Sequence, residues 1–268
     1  MHRFFAPPDR CSASVFALSE SDARHASQVL RLGPGDPVEV LDGQGGLIEA
    51  EILCASRKSV EVQVRRRATI PRSEPGVVLM QALLKGKAME VVLEKSVELG
   101  IEKVVLLDTE RCVARVPAPE VERKRAAWTQ TLIEASKQSR NPWLPELIGP
   151  LGVDEALRQP FLQPGPGGET PSFVASLEAG APFLGRALQR LAPDGSPDKR
   201  LAIAIGPEGD FTPDELERFR DSGARPVSLG PLILRAETAA IAAASILGDH
   251  ARSRPASPVM PALPSPTR

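Results

Sequence analysis

Apolar residues in the second half of the chain fall into short runs separated by stretches with a helical period. Residues 77–84, 103–107, 172–177, 201–205 and 226–229 are brief and mostly apolar, as strands buried on both faces of a parallel sheet are. Between them, 88–99 puts Met89, Val92, Leu93 and Val97 on one helical face and ends at Gly100. Residues 120–139 do the same with Val121, Trp128, Leu132 and Ala135, and a shorter helix is expected over 182–191. Thr212-Pro213-Asp214-Glu215 opens another helix, with a hydroxyl at the cap, Pro at the first helical position and Glu three residues on. An alanine-rich helix follows over 238–247, apolar nearly all round, so that it requires cover on every side. This alternation predicts a parallel sheet with helices on both faces.

The first 72 residues read differently. Residues 38–41 and 47–52 flank a glycine-rich turn, and 59–64 alternates strictly between apolar and polar. Short strands and turns of this kind predict a small β-barrel of about five or six strands. Phe4 and Phe5 are expected in its core. Residues 69–76 hold two prolines and no period, which puts a linker there and divides the chain into domains at 1–72 and 73–250. A Pro/Gly-rich insertion is expected at 163–171, and a Pro/Ser/Ala-rich disordered tail at 251–268.

Composition narrows the functional classes. Hydrophobic residues make up 42% and charged residues 25% of the 268, the balance of a soluble globular protein. No run approaches the ~20 apolar residues of a membrane helix, and the N-terminus lacks the apolar core of a signal peptide. The expected location is cytoplasmic, with no membrane partner. Cys11, Cys54 and Cys112 are far apart and form no CxxC pair, and the three histidines do not cluster, so neither a disulfide framework nor a metal site is expected. The net charge of −1 argues against a broad electrostatic grip on nucleic acid. Arg65-Arg66-Arg67 with Arg72, and Arg123-Lys124-Arg125, are local basic runs that a solvated surface explains equally well.

The strands at 201–205 and 226–229 both run into Gly-Pro turns, Gly206-Pro207 and Gly230-Pro231. Open α/β sheets bind ligands at the carboxyl edge. Glycine lets a backbone approach a ligand closely, and proline stiffens the loop. Neither loop is a phosphate cradle, because GxxxxGK[ST] is absent and no GxGxxG follows an early strand. Two ordinary strand-to-helix turns would give the same pattern.

Ile205-Gly206-Pro207-Glu208-Gly209, taken with Leu229-Gly230-Pro231-x-Ile233-Leu234-Arg235-x-Glu237-Thr238-Ala239, resembles the knotted methyltransferases of the SPOUT superfamily, and within them the RsmE family. The match extends to Arg3-Phe4-Phe5, to the stretch from His25 through Arg31 to Asp36, to Lys85-Gly86-x-x-Met89-Glu90, to Glu110-Arg111-Cys112 and to Glu134-Ala135-x-x-Gln138-Ser139-Arg140. One departure is Asp210, where the family usually has a second glycine.

The resemblance implies a SPOUT-type knotted parallel-sheet methyltransferase domain preceded by a small PUA-like RNA-binding β-barrel. It implies S-adenosylmethionine as cofactor, N3 of a uridine in 16S rRNA of the small ribosomal subunit as methyl acceptor, and a homodimer joined through the alanine-rich helix. Cofactor contacts are then expected from Leu177, from Ile205, Gly206, Pro207, Glu208 and Gly209, from Leu229, Gly230, Leu232, Ile233 and Leu234, and from Thr238 and Ala239. Arg235 is the candidate for stabilising charge on uracil. Glu208 is either a base or a loop-closing acceptor, with the loop role favoured because turn donors need partners. Arg3, Arg31, Arg140 and Arg235 are candidate RNA contacts, and Glu134 and Gln138, one helical turn apart, are candidate supports. His25 is either an RNA contact or a packing and capping residue. Other readings are a SPOUT enzyme acting on transfer RNA or a ribose hydroxyl, an assembly factor without catalysis, and a nucleotide-dependent dehydrogenase, the last disfavoured by the missing phosphate loop.

Overall fold

A computed structural model of the chain describes residues 1–72, 76–163, 170–191 and 200–253. Residues 73–75 of the expected linker, 164–169 of the expected insertion and 254–268 of the expected tail lie outside the described residues. In chain order the elements are β1 His2–Phe5, α1 Pro8–Cys11, β2 Val15–Ala17, α2 Glu20–Arg24, a π-helical turn His25–Val29, β3 Pro37–Leu41, β4 Gly46–Ala55, β5 Val60–Thr69, β6 Val77–Ala82, α3 Lys87–Glu98, β7 Lys103–Leu107, α4 Val121–Ser139, β8 Glu146–Leu151, α5 Val153–Leu157, β9 Ser172–Ala175, α6 Leu184–Gln189, β10 Leu201–Ile205, α7 Pro213–Asp221, β11 Arg225–Val227 and α8 Ala236–Arg252. They form two compact units. Unit 1 comprises Met1–Arg72 with Leu132–Leu144, and unit 2 comprises the remaining described residues.

Unit 1 is built on a five-stranded sheet in the order β1-β3-β4-β5-β2. Only β1 is parallel to its neighbour, with Phe4 opposite Val40; the other pairings are antiparallel. Asp42 Oδ1 accepts the N–H groups of Gln44 and Gly46, each at 2.7 Å, which fixes the turn between β3 and β4. Phe4, Phe16, Val38, Val40, Ile48, Ile52, Val60 and Val62 form the core, while Phe5 is half-buried. The sequence pattern did not resolve α1, α2 or the π-helical turn, where only strands and turns were expected. His25 is exposed and serves as the C-cap of α2 through its backbone.

Two buried carboxylates tie residues 132–144 into this unit. Glu39, 3% exposed on β3, receives Arg3 Nε at 3.2 Å and Arg140 Nε at 3.2 Å. Arg140 also closes the pair through its second guanidinium nitrogen. Arg3 donates further to the carbonyls of Lys137 (2.8 Å) and Gln138 (3.1 Å). Asp22 accepts Lys137 Nζ at 3.0 Å, and Lys137 also pairs with Glu134 at 2.7 Å. Burial alone would lower the Lys137 ammonium, but the two carboxylates outweigh it and hold it above the usual lysine range. Trp143 donates from Nε1 to Ile70 O at 2.9 Å, with the Arg72 guanidinium 4.6 Å from its ring centre.

Unit 2 is an all-parallel six-stranded sheet in the order β11-β9-β10-β6-β7-β8. β6 and β10, at its centre, are buried at every position, which accounts for their continuous apolar runs. α3 buries Met89, Val92, Leu93 and Val97, ends before Gly100 at φ +73°, and carries a Lys95–Glu98 pair at 2.7 Å. α7 opens with a complete capping box: Thr212 Oγ1 accepts the Glu215 N–H at 3.2 Å, and Glu215 Oε2 accepts the Thr212 N–H at 2.9 Å. The other Glu215 oxygen accepts the N–H of Glu110, at 2.9 Å, from the segment after β7. α8 touches both α3 and α6 and also lies on β6 and β10. β8 was missed in the sequence because Gly149 and Pro150 interrupt it; proline is tolerated there because β8 is an edge strand.

The alanine-rich helix departs from its sequence reading in one respect. α8 begins at Ala236 and buries one stripe, Ala240, Ala243, Ala244, Leu247 and Ala251, while Ile241, Ala242, Ser245 and Ile246 are only half-buried in the single chain. No helix among the described residues is long and apolar enough to cross a membrane.

Removing the Arg140 side chain leaves the Glu39 charge buried with Arg3 alone. Arg140→Ala is therefore expected to destabilise the protein by about 3 kcal/mol, the scale of breaking a buried ion pair. A urea titration followed by circular dichroism checks this, and an unchanged midpoint would refute it.

Candidate active site

Three neighbouring strands, β11, β9 and β10, are parallel, so their carboxyl ends emerge side by side. The loops that leave them enclose a cavity of about 560 Å³, within the range of small-molecule sites. Ala175, Ser176 and Leu177 line it from β9, Ile205 to Glu208 and Asp210 from β10, and Ser228 to Gly230 with Leu232 to Glu237 from β11; Ala88 and Ala239 complete it.

Local chemistry shapes each loop. A Cβ on Gly206 would lie 3.0 Å from Asp210 Oδ1 and 3.2 Å from the Phe211 nitrogen, so the first turn closes tightly only with glycine there. Asp210 has φ +61°, a left-handed conformation that aspartate tolerates better than most residues, and its Oδ1 accepts the Phe211 N–H at 2.8 Å. Aspartate thus keeps the backbone that glycine would give at this position. Arg111 holds the turn from outside, donating to the carbonyls of Gly209 (3.1 Å) and Phe211 (3.2 Å). Gly230 has φ +151°, and a Cβ built on it meets nothing within 4 Å. Gly230 lines the cavity, and its backbone conformation is one that residues with a Cβ rarely adopt.

Every expected cofactor residue lines the cavity except Gly209 and Thr238. Gly209 faces Arg111 through its carbonyl, and Thr238 is exposed on α8. Ala88, Ala175, Ser176, Asp210, Ser228, Ala236 and Glu237 are lining residues beyond the expected cofactor set; of these, Glu237 stands in the quoted motif and Asp210 is the departure from it. Glu208 Oε1 accepts the backbone N–H of Lys85 at 3.4 Å, which is the loop-closing role. Arg235 is exposed, caps α8 through its backbone, and forms no ion pair among the described residues, with Glu237 or any other acid.

The remaining arginines lie in unit 1. Arg31 is exposed with φ +56°, in the turn where the Leu32 N–H donates to Ala26 O at 3.0 Å. Arg140 is 11% exposed and committed to Glu39, and Arg3 shares that carboxylate. The expectation of Arg140 as an RNA phosphate contact is therefore corrected to a structural ion pair. Glu134 pairs with Lys137 and belongs, like Gln138, to unit 1. Of the basic runs, Arg65 and Arg66 pair with Glu51 and Glu49, and Arg123 pairs with Glu120.

Two features of the cavity suit S-adenosylmethionine. Among the described residues the backbone N–H groups of Leu232, Ile233 and Leu234 have no partner, leaving donors free for a ligand's nitrogen and oxygen atoms. Three carboxylates, Glu208, Asp210 and Glu237, line the space against one guanidinium, a balance that favours a cationic ligand over a diphosphate.

Residues 72–248 match the model of the RNA methyltransferase domain, and residues 18–65 that of the RNA methyltransferase PUA domain. Ribosomal RNA small subunit methyltransferase E of Mycobacterium bovis is 30% identical over 88% of this chain and 87% of its own length. The chain belongs to the ribosomal RNA small subunit methyltransferase E family. The Synechocystis member is also 30% identical, over 89% of this chain and 74% of its own. Among solved structures of this fold, a Legionella pneumophila methyltransferase in complex with S-adenosylmethionine superposes with a TM-score of 0.80, at 29% identity over 92% of this chain and 96% of that one. The Neisseria gonorrhoeae family member, bound to S-adenosylmethionine, gives 0.77 at 27% identity, over 91% and 95%.

The left-handed backbone at Asp210 sets a substitution test. Asp210→Gly is expected to leave stability nearly unchanged, whereas Asp210→Val should cost about 1–3 kcal/mol of strain. Thermal unfolding of the two variants distinguishes them, and equal melting temperatures would contradict the stated role of the turn.

Proposed function

We propose that this chain methylates N3 of a uridine in 16S rRNA of the small ribosomal subunit, using S-adenosylmethionine, in the cytoplasm. The observation that carries the reading is the cavity at the carboxyl edge of β9, β10 and β11, with its unpartnered backbone donors, in a chain of this family. In this reading residues 73–250, apart from the 132–144 segment that packs in unit 1, form the catalytic domain, with the chain threading of a SPOUT knot, and residues 1–72 a PUA-like domain that engages RNA, with Arg31 as a contact; Arg3, like Arg140, is spent on Glu39.

The bound cofactor supplies a methyl group already activated on a sulfonium, so the protein's task is mainly positioning. The N–H groups of residues 232–234 hold the cofactor's polar edge, while Ile205, Leu229 and Leu234 wall its apolar faces. Gly209 and Thr238 act one step back, through the turn and through the start of α8. The acceptor N3 carries a proton that must leave before it attacks. Glu208 is occupied by the Lys85 N–H, so its role is to hold the loop. The Arg235 guanidinium has no acid partner among the described residues, which suits it to stabilise negative charge developing on uracil.

Mass spectrometry of small-subunit rRNA, taken from a deletion strain and incubated with the protein, tests the assignment; absence of 3-methyluridine would sink it. In the same assay Arg235→Ala is expected to lower single-turnover rate by roughly 10²–10³-fold, the scale of losing one electrostatic stabiliser. Cofactor affinity should change far less, and Arg235→Lys should rescue only in part. A normal rate in Arg235→Ala would remove the residue from the mechanism.

The half-buried face of α8, with Ile241, Ala242 and Ile246, is in this reading covered by a second copy of the chain. Sedimentation at micromolar concentration should give a dimer, and a monomer there would overturn this part of the proposal.

A further inference from the structure

Unit 2 has a second concave surface. Gly180, Ala181, Pro182, Phe183, Arg186 and Arg190 line a separate cleft of about 410 Å³ at the start of α6. The Phe183 ring is 47% exposed, unusual for so large an apolar group. Its backbone is nonetheless well held: the Leu184 N–H donates to Ser228 O at 3.0 Å, and the Ser228 N–H to Pro182 O at 2.9 Å. Ser228 itself lines the large cavity, so the ring stands beside that cavity's rim on a braced backbone.

The charges around the ring are uncompensated. The Arg186 guanidinium lies 5.9 Å from the ring centre, and Arg190 follows one helical turn later. Both are exposed, and neither side chain has an acidic partner among the described residues. Arg200, Arg218 and Arg220 of the same unit are all paired with carboxylates. An exposed aromatic ring beside two guanidinium groups that have no acidic partner among the described residues matches a single-stranded nucleic acid, which stacks bases on aromatics and presents phosphates to arginine. A net charge of −1 also means that any grip on RNA must be local. A purely apolar protein partner would bury both charges unpaired.

We propose that this cleft binds a single-stranded segment of the RNA substrate, one base stacked on Phe183 and the adjoining phosphates held by Arg186 and Arg190, beside the cavity in which the target nucleotide reacts. The inference rests on the function proposed above, since it takes RNA as the substrate. It assigns Phe183, Arg186 and Arg190 to positioning: they hold the strand that carries the target and touch no reacting atom.

The test uses the full chain and three variants: Phe183→Ala, Phe183→Trp and the double variant Arg186→Gln/Arg190→Gln. An eight-nucleotide oligouridylate is the binding probe, and unmethylated small ribosomal subunits are the substrate. The double variant should weaken oligouridylate binding about tenfold and reduce the slope of log affinity against log salt by about 1.4, the share of two phosphates on a single strand. Phe183→Ala should raise KM for the subunit about tenfold with kcat within about twofold, and Phe183→Trp should restore KM. Parental S-adenosylmethionine affinity in every variant shows that the fold is intact. Unchanged oligouridylate affinity, salt slope and KM would overturn the inference. So would a variant that loses self-association while keeping RNA affinity, because the cleft would then be an interface between copies. A parent that methylates no rRNA would sink the proposed function instead, while the oligouridylate arm would still judge the cleft.

Discussion

The candidate site depends on the parallel hydrogen-bond ladder that joins β11, β9 and β10. Phe173 of β9 stands opposite both Ile203 of β10 and Arg225 of β11, so three chain segments far apart in sequence leave the sheet together. A slip of one residue in any of them would turn its apolar side chains to the wrong face. Burial of every β10 residue makes such a slip costly. The loops that follow carry little regular structure of their own, yet they are held from outside. Arg111 fixes the carbonyls of Gly209 and Phe211, and the Lys85 N–H fixes Glu208. The turn after β10 is thus braced from outside, while the loop after β11 is the one whose backbone donors stay unpaired among the described residues.

Unit 1 rests on a different device. A segment more than ninety residues away in sequence from β3 completes it through charge. Glu39 and Asp22 are buried carboxylates that would be costly alone; Arg3, Arg140 and Lys137 offset that cost and fix where residues 132–144 attach. Ion pairs of this kind contribute specificity of docking as much as stability. They also withdraw Arg140 from any contact outside the protein.

Much of this architecture was legible because its local signals agree. β7 and β10 are apolar runs of strand length, α3 keeps a helical period up to Gly100, and α7 announces itself with Thr212, Pro213 and Glu215. The cavity lining was legible from the two Gly-Pro loops and the motif around them. What stayed hidden is non-local or exceptional. β8 contains Gly149 and Pro150, which read as a break until its place at the sheet edge is known. The pairing of Arg140 with Glu39 spans distant positions with no sequence period to betray it. The backbone conformation of Gly230, at φ +151°, is likewise invisible in the sequence. The cleft beside Phe183 gave no motif at all, since an exposed aromatic looks in sequence like a core residue.

The distribution of tryptophan gives this chain a useful optical property. It contains two tryptophans and no tyrosine, so almost all of its near-ultraviolet emission comes from Trp128 and Trp143. Trp128 is buried, 8% exposed, in unit 2. Trp143 is in unit 1, half-buried, hydrogen-bonded to a carbonyl and faced by a guanidinium. The first ring is buried and the second half-buried beside a carbonyl and a guanidinium, so their emission maxima are expected to differ. Each unit therefore carries its own intrinsic fluorophore, which reports on the surroundings of that ring without any label.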